Sequence, residues 1–486
     1  MTAAYQADPR ILDLGEGFYD PVEAAEFPQS LLRWRNQRWA EATGLGGLSD
    51  AAWAAHFARF EPLADNLSPA LALRYHGHQF RAYNPQIGDG RGFLFAQMRD
   101  EAGRLLDLGT KGTGRTPYSR TADGRLTLQG GVREVLAAQR LEALGVLTSK
   151  PFSLFETGED LMRHDEPSPA RSGVLVRLSW SHIRMGTFQR HAYEEAPERI
   201  AALIDHCIAA YYPELAALEG EARTLGFLKA VTDASCRLAA SWMAAGFVHG
   251  VLNTDNLNVT GESFDYGPWR FLPTYDPAFT AAYFDETGLY SYARQPEAVL
   301  WNLHQLAGAL TLVCEDQDAM AEILDGFAPL YERLIVEAFC VRMGVAVADD
   351  RNRSTDLLRA MLTFLRQSQA GWERFFYDVF CGVASEARLK DSPQADKYAG
   401  EHWDAFWTLL AAHEPARPER LNHAYFTRGA PATMVYEDVT SLWARIAEAD
   451  DWSGFDAALA DIELMRDALD LKPAAETSGR PQDGLP

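Results

Sequence analysis

The sequence predicts an α+β chain of two lobes, a β-rich one followed by a larger helical one. Three observations carry this. From about residue 70 to 130, glycine and proline become frequent, and short alternating runs such as "FLFAQM" and "RLLDLGT" have the period of strands joined by turns. Beyond 191 the runs "ERIAALIDHCIAAYY", "FLKAVTDASCRLAASWMAAG", "EAVLWNLHQLAGALTLV" and "YERLIVEAFCVRMG" have helical period and length. A chain of 486 residues that is 47% hydrophobic, with 12 Trp and 25 Phe, can build a core in each lobe.

The elements follow in order. Residues 1–65 read as an extended arm and two helices, around "SLLRWRNQRWAEATG" and "SDAAWAAHFARF". The β-rich lobe spans 66–190 and contains one helix, "GGVREVLAAQRLEALGV", in which Val132, Val135, Leu136 and Leu144 lie on or near one face and Gly145 closes the end. "GVLVRLS" at 173–179 reads as a further strand. The helical lobe spans 191–440, interrupted by a small β element at 249–267. A helical extension covers 441–471, and the polar, proline-containing stretch 472–486 is expected to be disordered.

Composition narrows the function. A net charge of −23 argues against nucleic acid as a partner, because surfaces that track phosphates carry excess Lys and Arg. Residues 81–190 run against that balance, with 16 Lys and Arg to 12 Asp and Glu, as a site for a polyanion would. The five cysteines, Cys207, Cys236, Cys314, Cys340 and Cys381, have neither zinc spacing nor a disulfide pattern, and read as buried thiols of a reducing compartment. With no signal sequence and no membrane span legible, the expectation is a soluble cytoplasmic protein.

The chemistry-bearing stretch is "HGVLNTDNLNVTGESFDYG", 249–267. Leu257, Val259 and Phe264 alternate around "TGES", which predicts a tight hairpin bringing Asn256 and Asp265 to one point. An amide oxygen and a carboxylate are hard ligands of the kind Mg²⁺ takes while it also holds phosphates, although Asn, Asp and Gly would equally populate a surface turn. Asp255 projects into the same space. His249, which opens the stretch, is expected to brace it rather than act as a base. Upstream, "IGDGRGF" holds Gly88, Gly90 and Gly92 before a strand, Lys111 ends the next strand, and Glu134 lies on the helix after it. Glycine turn, strand lysine and helix glutamate in this order match the upper lobe of a protein kinase, where the glutamate orients the lysine on phosphates. Arg91, Arg115, Arg125, Arg177 and Arg184 add planar forks suited to phosphate oxygens. A kinase would have its catalytic Asp two residues after the His, where this chain has Val251.

"YHGHQFRAYNPQIGDGRG", "KGTGRTPYSRTADGR", "RLSWSHIRMG" and "HGVLNTDN" followed by "FDYGP" resemble the selenoprotein O family, densely from about residue 74 to 310. The resemblance implies a protein-kinase-like bilobal fold and a protein adenylyltransferase. ATP would bind reversed relative to a kinase, so that AMP passes to a Ser, Thr or Tyr hydroxyl of a protein. It further implies that Gly88, Gly90, Arg91, Lys111, Asp123, Gly124, Arg177 and Arg184 contact the nucleotide, that Asp255 accepts the proton, and that Asn256 and Asp265 bind Mg²⁺ or Mn²⁺. Two departures stand out: no cysteine follows Cys381, against the redox-linked C-terminal motif of many members, and residues 410–470 match loosely. The rival readings are a γ-phosphoryl transferase and a nucleotide-binding scaffold without turnover; UTP stays open as a donor.

Overall fold

The computed structural model describes residues 4–163 and 166–472; the predicted disordered tail, from residue 473 on, lies outside them. In chain order the strands of the first lobe are β1 (Gln6–Ala7), β2 (Tyr19–Val22), β3 (Leu31–Arg35), β4 (Ala70–Leu73), β5 (Gly77–Gln79), β6 (Ala82–Asn84), β7 (Leu94–Arg99), β8 (Leu105–Lys111), β9 (Leu126–Thr127), β10 (Lys150–Leu161) and β11 (Ala170–Ser179). Nine of them form an antiparallel sheet of order β2-β4-β7-β8-β11-β10-β3, with β1 on β7 and β9 on β11. Strands β5 and β6 make a separate hairpin.

Both faces of this sheet are covered. Helices α1 (Gln37–Ala42) and α2 (Asp50–Phe57) put Trp39, Trp53 and Phe57 against Phe95, Leu108, Phe152 and Val176. On the opposite face lies α3 (Leu128–Ala143), capped by the Thr127 hydroxyl, which accepts from the Gly130 N–H at 3.2 Å. Its Leu128, Val132, Val135 and Leu136 meet Leu154 and Leu175. A strand covered on both faces has no solvent side, so β8 is buried at every residue, "LLDLGTK", including its lysine.

One element departs from expectation. The stretch read as a helix around "SLLRWRNQRWAEATG" is strand β3 as far as Arg35, and only then α1. Asn36 makes the break: its side chain accepts from the Trp39 N–H at 3.2 Å as the helix cap and donates to the Pro151 carbonyl at 2.9 Å. The open edge of β10 takes up the backbone of β3. Together with β1 and β2, this stitches the N-terminal 65 residues into the sheet instead of leaving them as an arm.

The second lobe begins with α4 (Met185–Tyr193), α5 (Pro197–Tyr211) and α6 (Gly220–Ala245), and continues through the short pair β12 (Phe247–Val248) and β13 (Arg270–Phe271) to α7 (Gln295–Leu310). Helices Phe327–Met343, Arg351–Ser368, Trp372–Val379 and Glu401–Ala411 enclose a second core built on Phe339, Phe364, Trp372, Phe375 and Phe406. The last two helices, Tyr436–Ala449 and Ser453–Leu469, return to the first lobe. There Arg466 donates to the Gln139 carbonyl at 3.1 Å, and Asp450 pairs with Arg33 at 3.0 Å and Arg171 at 2.7 Å. The result is the bilobal, protein-kinase-like α+β plan. No helix among the described residues is long and apolar enough to cross a membrane.

Candidate active site

Strand period places the first charged residues. Leu175 pairs with Lys111 and Arg177 with Gly109, so Lys111 and Arg177 stand on the same face of the sheet, the face that α3 covers. Glu134 of α3 meets both. Its carboxylate takes the Lys111 ammonium at 2.5 Å and the Arg177 guanidinium at 3.0 Å, and all three side chains are buried.

The second lobe supplies the other half. Asp265, held at φ +64°, extends its Oδ1 to Lys111 Nζ at 2.8 Å and Arg177 Nη1 at 3.3 Å. A left-handed backbone at a non-glycine residue is strained and persists only where its surroundings fix it. Asn256 Nδ2 donates to Asp265 Oδ2 at 3.2 Å, so residues nine apart in sequence do converge. Burial alone would push the Asp265 carboxyl up; Lys111, Arg177, Arg91 and Arg184 outweigh it and hold the group well below the usual carboxylate range.

The convergence does not come from the expected tight hairpin. The two limbs of 257–266 pair with outside segments instead: Met185 N–H donates to the Leu257 carbonyl at 2.9 Å and Val259 N–H to Ile183 at 3.0 Å, while Ser263 N–H donates to Leu147 at 2.9 Å. The Asn258 side-chain oxygen accepts from Thr260 Oγ1 at 2.9 Å and Glu262 N–H at 3.1 Å, widening the turn. Gly261 lies at φ +68°, where an added β-carbon would sit 2.6 Å from the Ala234 carbonyl oxygen. His249 is buried, and its Nε2–H donates to the Phe264 carbonyl at 2.9 Å, the geometry of a brace.

Asp255 is half-buried beside Asn256, and its Oδ1 lacks a protein partner, as does Asn256 Oδ1. Burial pushes the Asp255 carboxyl up to about 7, with Arg184 opposing and Asp265 reinforcing the rise. Two unpartnered buried oxygens beside an ionised carboxylate form a donor set that suits a hard divalent cation. Exchanging the two ends of the Asn256 amide would turn its oxygen toward Asp265.

The glycine turn faces this cluster through Asp89 and Arg184. Arg184 Nη1 bonds Asp89 Oδ1 at 3.0 Å, and the guanidinium lies 4.2 Å from the Tyr75 ring and 5.3 Å from the Phe264 ring. The carbonyls of Asp89, Gly90 and Arg91 accept from Thr116 Oγ1 at 2.5 Å, Ser119 Oγ at 2.5 Å and Gly112 N–H at 2.7 Å. Since a peptide's N–H and C=O point opposite ways, the amides of Gly90, Arg91 and Gly92 face away from that support. Glycine at 88 and 92 also answers to packing. A β-carbon at Gly88 would sit 2.4 Å from the Tyr118 ring, and one at Gly92 would sit 2.0 Å from the Thr110 carbonyl oxygen.

Asp123 and Gly124 are not drawn into the Lys111–Asp265 network. The Asp123 carboxylate is held by Arg163 at 2.8 Å and by the Arg125 N–H at 3.0 Å, and Gly124, at φ +71°, closes the loop against Gly114. Arg125 pairs with Glu159 at 2.9 Å, and Arg91 and Arg115 are exposed. Sequence reasoning missed Asp89, whose position inside "IGDGRG" was a signal, and Tyr75. A cavity of about 640 Å³ among Phe27, Phe60, Phe93 and Phe95 shares no residue with this site.

The family model described as "Protein adenylyltransferase SelO" matches residues 1–463. Among curated relatives named "Protein nucleotidyltransferase YdiU", one from Synechocystis sp. is 42% identical over 94% of this chain and 97% of its own length. One from Trichormus variabilis is 47% identical over 76% of each, and one from Cereibacter sphaeroides is 36% identical over 85% of each.

Proposed function

Because the chain belongs to the protein adenylyltransferase SelO family, we propose that the cleft between Lys111 and Asp265 binds ATP and delivers AMP to a protein hydroxyl. The acceptor oxygen of a Ser, Thr or Tyr attacks the α-phosphorus. A new P–O bond forms, the bond from the α-phosphorus to the bridging oxygen breaks, the hydroxyl proton goes to Asp255, and pyrophosphate leaves. Asn256 and Asp265 are the residues that would hold Mg²⁺ or Mn²⁺, which when bound neutralises phosphate charge.

The observation that carries this reading is the pairing of opposites in one cleft. Lys111, Arg177 and Arg184 offer fixed positive charge to a polyphosphate, while Asp255 and Asn256 keep unpartnered oxygens beside Asp265. Glu134 fixes Lys111 and Arg177 so that neither has to reorganise when the nucleotide arrives. Gly88, Gly90 and Arg91 are proposed to line the phosphates from the turn, with Asp123 and Gly124 at the nucleotide's other end. The free, buried cysteines suit a reducing compartment, and we propose the cytoplasm.

Intact-mass spectrometry of a protein acceptor after incubation with the enzyme, ATP and Mg²⁺ or Mn²⁺ tests the proposal. A gain of one adenylyl unit, lost in Asp265→Ala, is expected. A gain of one phosphoryl unit would overturn it.

A further inference from the structure

The hairpin β5–β6 belongs to the first lobe by sequence but rests on the second. Its two-residue tip, Phe80 and Arg81, has φ +50° and +64°. A hairpin turn with both central residues in this region favours Asn-Gly, and bulky side chains there are strained. Contacts of those same side chains hold the tip in place. The Phe80 ring lies 5.0 Å from Tyr290 and 5.8 Å from Phe284, while Arg81 pairs with Glu297 at 3.2 Å and stacks 5.5 Å from Trp301.

Behind the tip, the hairpin backbone is bonded to the residues that precede Asp255. His78 N–H donates to Thr254 Oγ1 at 2.7 Å and Phe80 N–H to Asn253 Oδ1 at 2.9 Å. At Gly77 a β-carbon would sit 3.0 Å from Thr254 Oγ1 and 3.1 Å from Asp255 Oδ1. Asn84 Nδ2 donates to Gln79 Oε1 at 3.0 Å, which leaves the Gln79 NH₂ end for the Asp255 carboxylate that it adjoins.

We propose that this hairpin is the positioning wall for Asp255: its backbone fixes residues 253–255, Gln79 orients the carboxylate, and the Phe80–Arg81 tip anchors the wall to the second lobe. The inference rests on the reading of Asp255 as the proton acceptor. Gln79 is a positioning residue, acting through Asp255 and not on the nucleotide. Misplacing a reacting group by about 1 Å costs on the order of a hundredfold, so loosening it should cost at least about tenfold in kcat.

The test pairs kinetics with amide exchange. Gln79→Ala and the isosteric Gln79→Glu are both expected to lower kcat about tenfold with KM for ATP unchanged, because each lacks the N–H donor. The double variant Phe80→Asn/Arg81→Gly keeps a favourable turn but removes the anchor. It is expected to melt as the native protein does, while amide exchange speeds up at 252–258 and kcat falls. Native kcat in Gln79→Glu, or unchanged exchange at 252–258 in the double variant, would overturn the proposal. If the native protein transfers no adenylyl group, the proposed function fails, and the exchange measurement still decides whether the hairpin holds this segment.

Discussion

Glu134 touches two buried cations, Lys111 and Arg177, which it shares with Asp265. In Glu134→Ala, Lys111 and Arg177 keep only the Asp265 carboxylate between them. Removing one member of a buried ionic group leaves uncompensated charge, and a loss of about 3–5 kcal/mol of stability is expected by chemical denaturation. Asp255 gives a prediction in pH. A base must be deprotonated to accept a proton, so kcat/KM should rise with pH and level off once the carboxyl has ionised. Its value of about 7 in the free protein puts that limb near neutrality, and a cation beside Asn256 would move it lower. A kcat/KM that falls as pH rises from 5 to 7 would remove Asp255 from the role.

The segment 257–266 keeps its position by bridging to Thr148 on one side and Arg184 on the other, and it buries the Glu262 carboxyl along with Asn258, Thr260 and Ser263. Burial raises the Glu262 carboxyl to about 7 against the pull of Lys150, which lies 3.6 Å away. A group whose folded value lies above its unfolded one favours the fold at low pH, and that contribution is lost as pH rises through the folded value. Glu262→Gln should therefore match the native protein at about pH 4 and exceed it by up to about 3 kcal/mol at pH 8, read from thermal unfolding. This segment also marks the limit of what was legible in the sequence. The order of glycine turn, Lys111 and Glu134 was readable because each sits in a local motif. The alternation in "NLNVTGESF" was real, but its partners are Ile183–Met185 and Leu147–Ser149, far away in sequence, so no local rule could tell a hairpin from two separate pairings. "LLRWR" likewise became a strand because of the β10 edge more than a hundred residues later. The partner of Asp123, Arg163, is forty residues distant.

Across the whole molecule, helix α3 is pinned from three directions, and that keeps Glu134 in place. Its Arg140, 1% exposed, pairs with Glu373 of the second lobe at 2.8 Å, and Arg342 meets the same carboxylate. Arg466 of the last helix reaches Glu142 at 3.2 Å, and Leu471 packs where α3 ends at Gly145. Glu373→Ala would strand two buried arginines between the lobes. It should cost about 3–5 kcal/mol and also weaken ATP binding, measured by calorimetry, although Glu373 lies outside the nucleotide cleft. Unchanged ATP affinity in a folded Glu373→Ala protein would detach α3 positioning from this contact.

In the proposed reaction one cleft, closed by Lys111 and Arg177 on one side and by Asp255, Asn256 and Asp265 on the other, passes the α-phosphoryl group with its nucleoside to a protein. Parallel incubations of enzyme and acceptor protein with ATP labelled at the α- or the γ-phosphate separate this transfer from phosphorylation. Protein-bound label is expected from the α-position alone and is lost in Asp255→Ala and Asp265→Ala; label arriving from the γ-position would make the enzyme a kinase instead.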